Sequence, residues 1–347
     1  MHRSRSARWL APVLVPLLAA AAAVLPAGPP ASAEGIVNLY TSRHYDSDEA
    51  LYEAFTKKTG IAVKTIEADA DVLLARIQRE GELSPADVFI AVDAGRLQLA
   101  VDRGVLEPVE SAALEARIPA NLRHPDGLWF GVSKRVRVIL RAPGAPAVAT
   151  YEGLADPSLR GELLIRSSGN VYNQSLVASL IANAGEDQAA TWCEGVVENL
   201  ARTPQGGDRD QARAAAAGEG SVAVANHYYI ARMLAGDDAE DRAAAEKLTL
   251  VFPDQDGRGA HVNVSGAGVV ASAPNRDNAL AFIAFLVSDE GQRLYALANF
   301  EYPVVPGVGL TGVLEGFGGF KEDTLNASEL GSLNREAVKI MDRAGWR

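Results

Sequence analysis

The strongest constraint on this chain is an alternation of strand-like and helix-like stretches that occurs twice, divided by one long β-rich run. Ile36–Tyr40 reads as a buried strand. Asp46-Ser-Asp-Glu49 then fits a capping box, an N-cap acceptor with a glutamate three residues on. The helix it opens runs from Ala50 to Lys58, with Leu51 and Phe55 on one apolar face and Gly60 closing it. Ile61–Ile66 makes a second strand, Asp71–Arg79 a helix, Ala86–Val92 a third strand, and Ala94–Asp102 a helix stopped by Gly104. Such alternation predicts an α/β fold with a parallel sheet, whose ligands gather at the carboxyl ends of the strands.

Leu128–Leu140 outruns the roughly five or six residues of a typical strand and is read as a crossing between two lobes. A second α/β pattern follows. A short helix at Thr150–Ala155 and a turn at Asp156–Gly161 lead to a strand at Leu163–Arg166. Helices are expected over Gln174–Asn183, Asp187–Leu200, Asp208–Ala217 and Tyr228–Ala235. Val222–Ala225 and Leu248–Phe252 read as strands, the latter the last, and His261–Ser265 as the return crossing. Ala279–Val287 is an amphipathic helix extended by Glu290–Leu297. Glu301–Gly307 reads as a proline-fixed surface segment, and Asn334–Ala344 as a terminal helix. Two α/β lobes with two crossings imply a hinge and a cleft. One lobe would hold residues 34–130 with 265–315, the other 131–264 with 316–347, the crossings falling near 131–138 and 261–265. This architecture, together with Leu154-Ala-Asp-Pro-Ser-Leu-Arg-Gly161 and the late helix Ala279–Gln292, resembles the type II periplasmic solute-binding proteins.

The amino terminus has a separate logic. Arg3, Arg5 and Arg8 precede an apolar run from Trp9 to Leu25, and Ala31-Ser-Ala33 follows. Basic, apolar, then small-x-small is the pattern of a cleavable signal peptide over residues 1–33, and it implies a periplasmic location. A membrane anchor is the competing reading, but Pro12, Pro16 and Pro26 interrupt the run; no later stretch reaches the roughly 18 apolar residues of a spanning helix. Removing three arginines takes the formal charge from −11 to −14. That acidity excludes nucleic acid, whose phosphates require a basic face, and suits a cationic ligand. Cys193 is the only cysteine, so no intramolecular disulfide forms, and it reads as a buried helix residue. A monomer is expected.

Four of the nine tyrosines lie at element junctions. Tyr45 follows the first strand beside His44. Tyr172 precedes a helix, and Tyr228 and Tyr229 stand where Ala223–Asn226 gives way to a helix. A helix N-terminus favours anions such as phenolate. A hard trivalent cation prefers oxygen donors and displaces the phenolic proton, so phenolates in a cleft suit Fe³⁺ and not Zn²⁺. Four phenolates on Fe³⁺ leave one surplus negative charge, and Arg43, Arg135, Arg166 and Arg232 are candidates to offset it from beyond the ligands. Tyrosines also serve as ordinary packing, the reading kept for Tyr40, Tyr52, Tyr151, Tyr295 and Tyr302. His124, His227 and His261 stand at no metal-ligand spacing and are expected to be structural. From residue types alone, packing and ligation both stand for the junction tyrosines.

A wider resemblance selects between them. Leu39–Tyr45, Ser84–Val88, Ile118–Arg123, Gly127–Gly131, Arg166–Ser175, Pro204–Gly206, Ala225–Tyr229 and Tyr302–Gly307 resemble the periplasmic ferric-ion-binding proteins of ABC iron importers, the bacterial transferrin type, in their cyanobacterial-style branch. The resemblance implies iron ligation by Tyr45, Tyr172, Tyr228 and Tyr229, joined in some members by a histidine matching His44. It implies Fe³⁺ as cargo, an ABC permease as partner and no enzymatic activity. Some relatives add a carbonate or phosphate anion, for which this chain shows no motif. A small organic or anionic solute held by the same fold is the alternative cargo. A secreted hydrolase would require a Gly-x-Ser-x-Gly elbow or a His-Glu-x-x-His helix, and a nucleotide-binding protein a Gly-x-x-x-x-Gly-Lys loop; all are missing.

Overall fold

Eight strands build one sheet in the computed structural model, which describes residues 35–347. The expected signal peptide lies outside the described residues. The strands are β1 (Gly35–Thr41), β2 (Ile61–Glu67), β3 (Val88–Ala91), β4 (Phe130–Arg141), β5 (Leu163–Leu164), β6 (Val222–Asn226), β7 (Thr249–Val251) and β8 (Val262–Val269). Their order is β2-β1-β3-β8-β4-β6-β5, with β7 beside β4. β1 is parallel to β2 and β3, and β5 is parallel to β6. β3, β6 and β8 are buried along their whole length, as sheets covered on both faces demand.

β4 and β8 tie the two halves of the sheet together. β4 is 12 residues long. Its first part, Phe130–Val136, pairs antiparallel with β8, and its second, Arg137–Arg141, with β6. A register shift between Gly131 and Ser133 bends it on the way. β8 pairs with β4 first and then with β3 through Gly266–Val269. The expected return crossing is therefore the front of a full strand, and β7 is not the last.

The first helix, Asp48–Thr59, buries Leu51 and Phe55 as the spacing predicts. Gly60 ends it at φ 75°, a conformation costly for any residue with a Cβ. The capping box does not form: Ser47 is the N-cap and makes no side-chain cap bond. Its hydroxyl donates to Asn299 Oδ1 at 2.7 Å instead, and Asp48 is engaged by Arg43. Tertiary partners have outcompeted the local motif.

Other boundaries also move. The strand expected at Leu163–Arg166 is only two residues long. The helix expected from Gln174 begins at Val171, so Tyr172 lies in its first turn rather than before it. Asn170 caps it by accepting from the Asn173 amide at 3.3 Å. The late helix ends at Leu286, and Ser288 caps a separate helix, Asp289–Tyr295, rather than an extension. Cys193 is buried in the helix Glu186–Asn199.

The largest departure is at Glu301–Gly307, where Glu301 to Val305 are buried rather than a surface segment. The short helix Ala327–Ser332, next to last in the chain, packs on both Ala94–Asp102 and Val171–Ala184. Gly331 permits this approach, since a Cβ there would fall 2.2 Å from Gln98 Cβ.

Candidate metal centre

β6 runs directly into the helix His227–Ala235, which places Tyr228 and Tyr229 in its first turn. Their rings lie 4.1 Å apart between centroids. Tyr172, from the first turn of Val171–Ala184, brings its hydroxyl to 3.4 Å from that of Tyr228. Two helix N-termini thus aim three phenols at one place. Tyr45, on the loop after β1, completes the group. Arg232 covers both its ring, at 4.4 Å, and that of Tyr228, at 5.4 Å. All four junction tyrosines are brought together.

Tyr228 is fully buried and Tyr172 nearly so. Burial pushes the phenols of Tyr172, Tyr228 and Tyr229 above their ordinary value, and their neighbouring phenols add to this for Tyr172 and Tyr228. Empty, these three are held protonated at neutral pH; occupied by a cation, they must release protons. Among the described residues no group of three or more His, Cys, Asp or Glu is placed to hold a metal. The donors gathered at this place are mainly phenolic.

The four arginines occupy different stations. Arg43 and Arg135 are almost fully buried. Arg43 lies 4.7 Å over the Tyr45 ring and donates to Asp48 through Nε at 2.9 Å and Nη2 at 3.1 Å. Arg135 lies 5.9 Å from the Tyr172 ring and 6.0 Å from that of Tyr228; it donates to the Val92 carbonyl and the Ser265 hydroxyl. Arg232 donates to Asn299 Oδ1 at 2.8 Å. Arg166 approaches Asp208 Oδ1 at 3.8 Å and draws the Tyr229 phenol down against burial and Asp208.

Glu301 is the group that sequence reasoning missed. Its Oε2 accepts from Arg43 Nη1 at 2.8 Å and Ser133 Oγ at 2.6 Å, and its Oε1 from Arg135 Nε at 2.9 Å. Burial pushes this carboxyl up, but Arg135 and Arg43 outweigh it and bring it down to about 2. The available signal was a lone acid among aromatic and β-branched neighbours, Phe300-Glu-Tyr-Pro-Val-Val305. A charge in such a run is kept only when it is paired.

His44 stands apart from the phenols' buried side. Its side chain is 53% exposed, with Nδ1 3.4 Å from Glu67 Oε2. His227 is buried, stacked 4.4 Å on Tyr302, with Nδ1 accepting from the Val136 amide at 3.2 Å. His261 meets Ser175 Oγ at 3.3 Å, and His124 packs edge-on to Trp129. These last three are structural, as expected.

Comparison with known proteins gives the class. A family model described as bacterial extracellular solute-binding protein matches residues 84–313, and the chain belongs to that family. It is 50% identical over 314 residues to iron uptake protein A1 of Synechocystis sp., covering 90% of this chain and 87% of that protein. Its structure is similar to a Trichodesmium protein solved in complex with iron and citrate ligands, with a TM-score of 0.88 and 51% identity over 90% of this chain and 100% of that one. It is also similar to ferric iron-binding protein A of Mannheimia haemolytica in an open conformation, with a TM-score of 0.84 and 37% identity over 90% of this chain and 99% of that one. The type II fold expected from the sequence is the fold of this chain.

Proposed function

We propose that this chain is a periplasmic carrier that takes Fe³⁺ as cargo and presents it to an ABC permease of the inner membrane. Tyr45, Tyr172, Tyr228 and Tyr229 are the ligands. His44 is a fifth donor at the mouth: with Nδ1 turned to Glu67, Nε2 is left for the metal, the usual carboxylate–histidine–metal arrangement. The observation that carries this reading is the convergence of four phenols among arginines. A trivalent cation converts them to phenolates, and the arginines offset the surplus negative charge.

The carrier works by closure. Tyr45 and His44 come from the lobe of residues 34–130 and 265–315, and the other tyrosines from the lobe of 131–264 and 316–347. Iron shifts the open form to the closed one only because it bonds better when both lobes contribute. The protein is a monomer, exported with its signal peptide removed, and among the described residues no helix is long and apolar enough to cross a membrane. It performs no turnover.

Elemental analysis and a visible spectrum of the purified protein test this reading, followed by titration with ferric citrate. A phenolate-to-iron charge-transfer band that saturates at one iron per chain is expected. A colourless titration would instead indicate an organic or anionic solute in the same cleft.

A further inference from the structure

Glu301 has a place in the cation's environment that neither packing nor ligation explains. It is fully buried, its hydrogen bonds go to none of the four tyrosines, and both of its oxygens are used by Arg43, Arg135 and Ser133. Those two arginines reach the two sides of the site: Arg43 lies over Tyr45, and Arg135 beside Tyr172 and Tyr228. Asp48 also pairs with Arg43, whereas Arg232 lies over the Tyr45 and Tyr228 rings and donates to the neutral Asn299. On the Tyr229 side Asp208 lies between Arg137 and Arg166. Arg43, Arg135, Arg137, Arg166 and Arg232 thus outnumber Asp48, Asp208 and Glu301. Among these paired groups the arginines are in excess, and Glu301 is one of the carboxylates that hold that excess down, with Glu67 farther out beside His44.

We infer that Glu301 is a positioning residue that stabilises the empty protein while restraining its grip on iron. This rests on the iron reading. Loading Fe³⁺ onto four phenols expels four protons and leaves the site one unit more negative than before. A negative neighbour disfavours that change, and a buried one is little screened by salt. In the empty protein the same carboxylate is what makes two buried guanidiniums tolerable. Glu301 therefore acts in opposite directions on the two states, which suits a carrier that must give up its cargo.

The test is Glu301→Gln, with thermal unfolding measured with and without stoichiometric ferric citrate and iron retention measured by chelator competition at pH 7. The empty variant should melt below the wild type. Its ferric-induced rise in melting temperature should exceed that of the wild type, and its iron affinity should be about tenfold higher. A group that mattered only for packing would lower both melts alike and never tighten binding. Should Glu301→Gln fail to fold, Asp48→Asn removes the other carboxylate on Arg43 and carries the same expectation. A wild type that responds to iron, with variants whose ferric rise is equal or smaller, overturns this inference alone. A wild type with no ferric response removes the iron reading and the inference with it.

Discussion

The two sides of the cleft are built differently. On one side, Tyr172, Tyr228 and Tyr229 grow out of helix first turns, are largely or wholly buried, and touch one another. On the other, Tyr45 and His44 sit on the loop after β1, with His44 half exposed and Tyr45 held from beneath by Arg43. The first is a preassembled tripod; the second is a single arm anchored by an ion pair. In the hinged carrier proposed above, this asymmetry suits closure. A half-site that keeps its geometry when empty loses little entropy on binding, and the other half can leave without dismantling it.

The largest effect should fall on the arm's anchor. Arg43→Ala leaves Asp48 and one oxygen of Glu301 without their buried partner, and breaking such a pair typically costs about 3–5 kcal/mol. Denaturant unfolding of the iron-free protein should show this loss, and a variant as stable as wild type would mean that the arm needs no anchor. Next comes the tripod itself. Tyr228→Phe should weaken ferric binding about 100-fold, or ~2.8 kcal/mol, with little change in iron-free stability. Competition with a chelator checks it. Equal losses in Tyr228→Phe and Tyr45→Phe would erase the contrast between the two sides, since Tyr45→Phe should mainly speed release.

Acid should separate the two regions from the scaffold. The buried His261 is pushed by burial, and further by Arg137 and Arg258, from 6.5 to about 3. Below pH 6.5 the unfolded chain takes a proton that the folded one refuses, so stability falls between about pH 6.5 and 3, at about 1.4 kcal/mol per pH unit. Glu301 is lowered from 4.5 to about 2, so its contribution is present above 4.5 and lost as pH falls through 2. His227, lowered by burial to about 3 as well, shares the first of these windows, so His261→Asn should reduce that slope without abolishing it and leave the second window unchanged in a pH series of urea melts. The smallest effect belongs to the arm's tip: His44→Ala should cost iron affinity about tenfold or less, because its ring is half exposed. A loss matching that of Tyr228→Phe would place the histidine on a par with the tripod.

How much of this was legible beforehand differs between the regions. Tyr228, Tyr229 and Tyr172 could be singled out because a helix beginning immediately after a strand or a loop leaves a mark in the chain itself. The arm was legible only as a tyrosine beside a histidine. Its anchor was obscured by a local explanation, since Asp46–Glu49 satisfies a capping pattern that the folded protein does not use. The segment Glu301–Val305 was misread because prolines usually signal exposed turns, whereas here they accompany a buried stretch that returns to β4 through Lys134 and Tyr302.

By itself the sequence determined the periodicities: buried strands, helices at amphipathic spacing, one long crossing and a short return, and phenols at the junctions. These follow from interactions within a few residues, which the order of side chains directly encodes. Only the tertiary structure decided that Arg43, Asp48, Arg135 and Glu301 share one buried cluster, because its bonds join residues as far apart as 43 and 301. The energy of such a cluster depends on burial and mutual distance, quantities that exist only once the chain has closed around it.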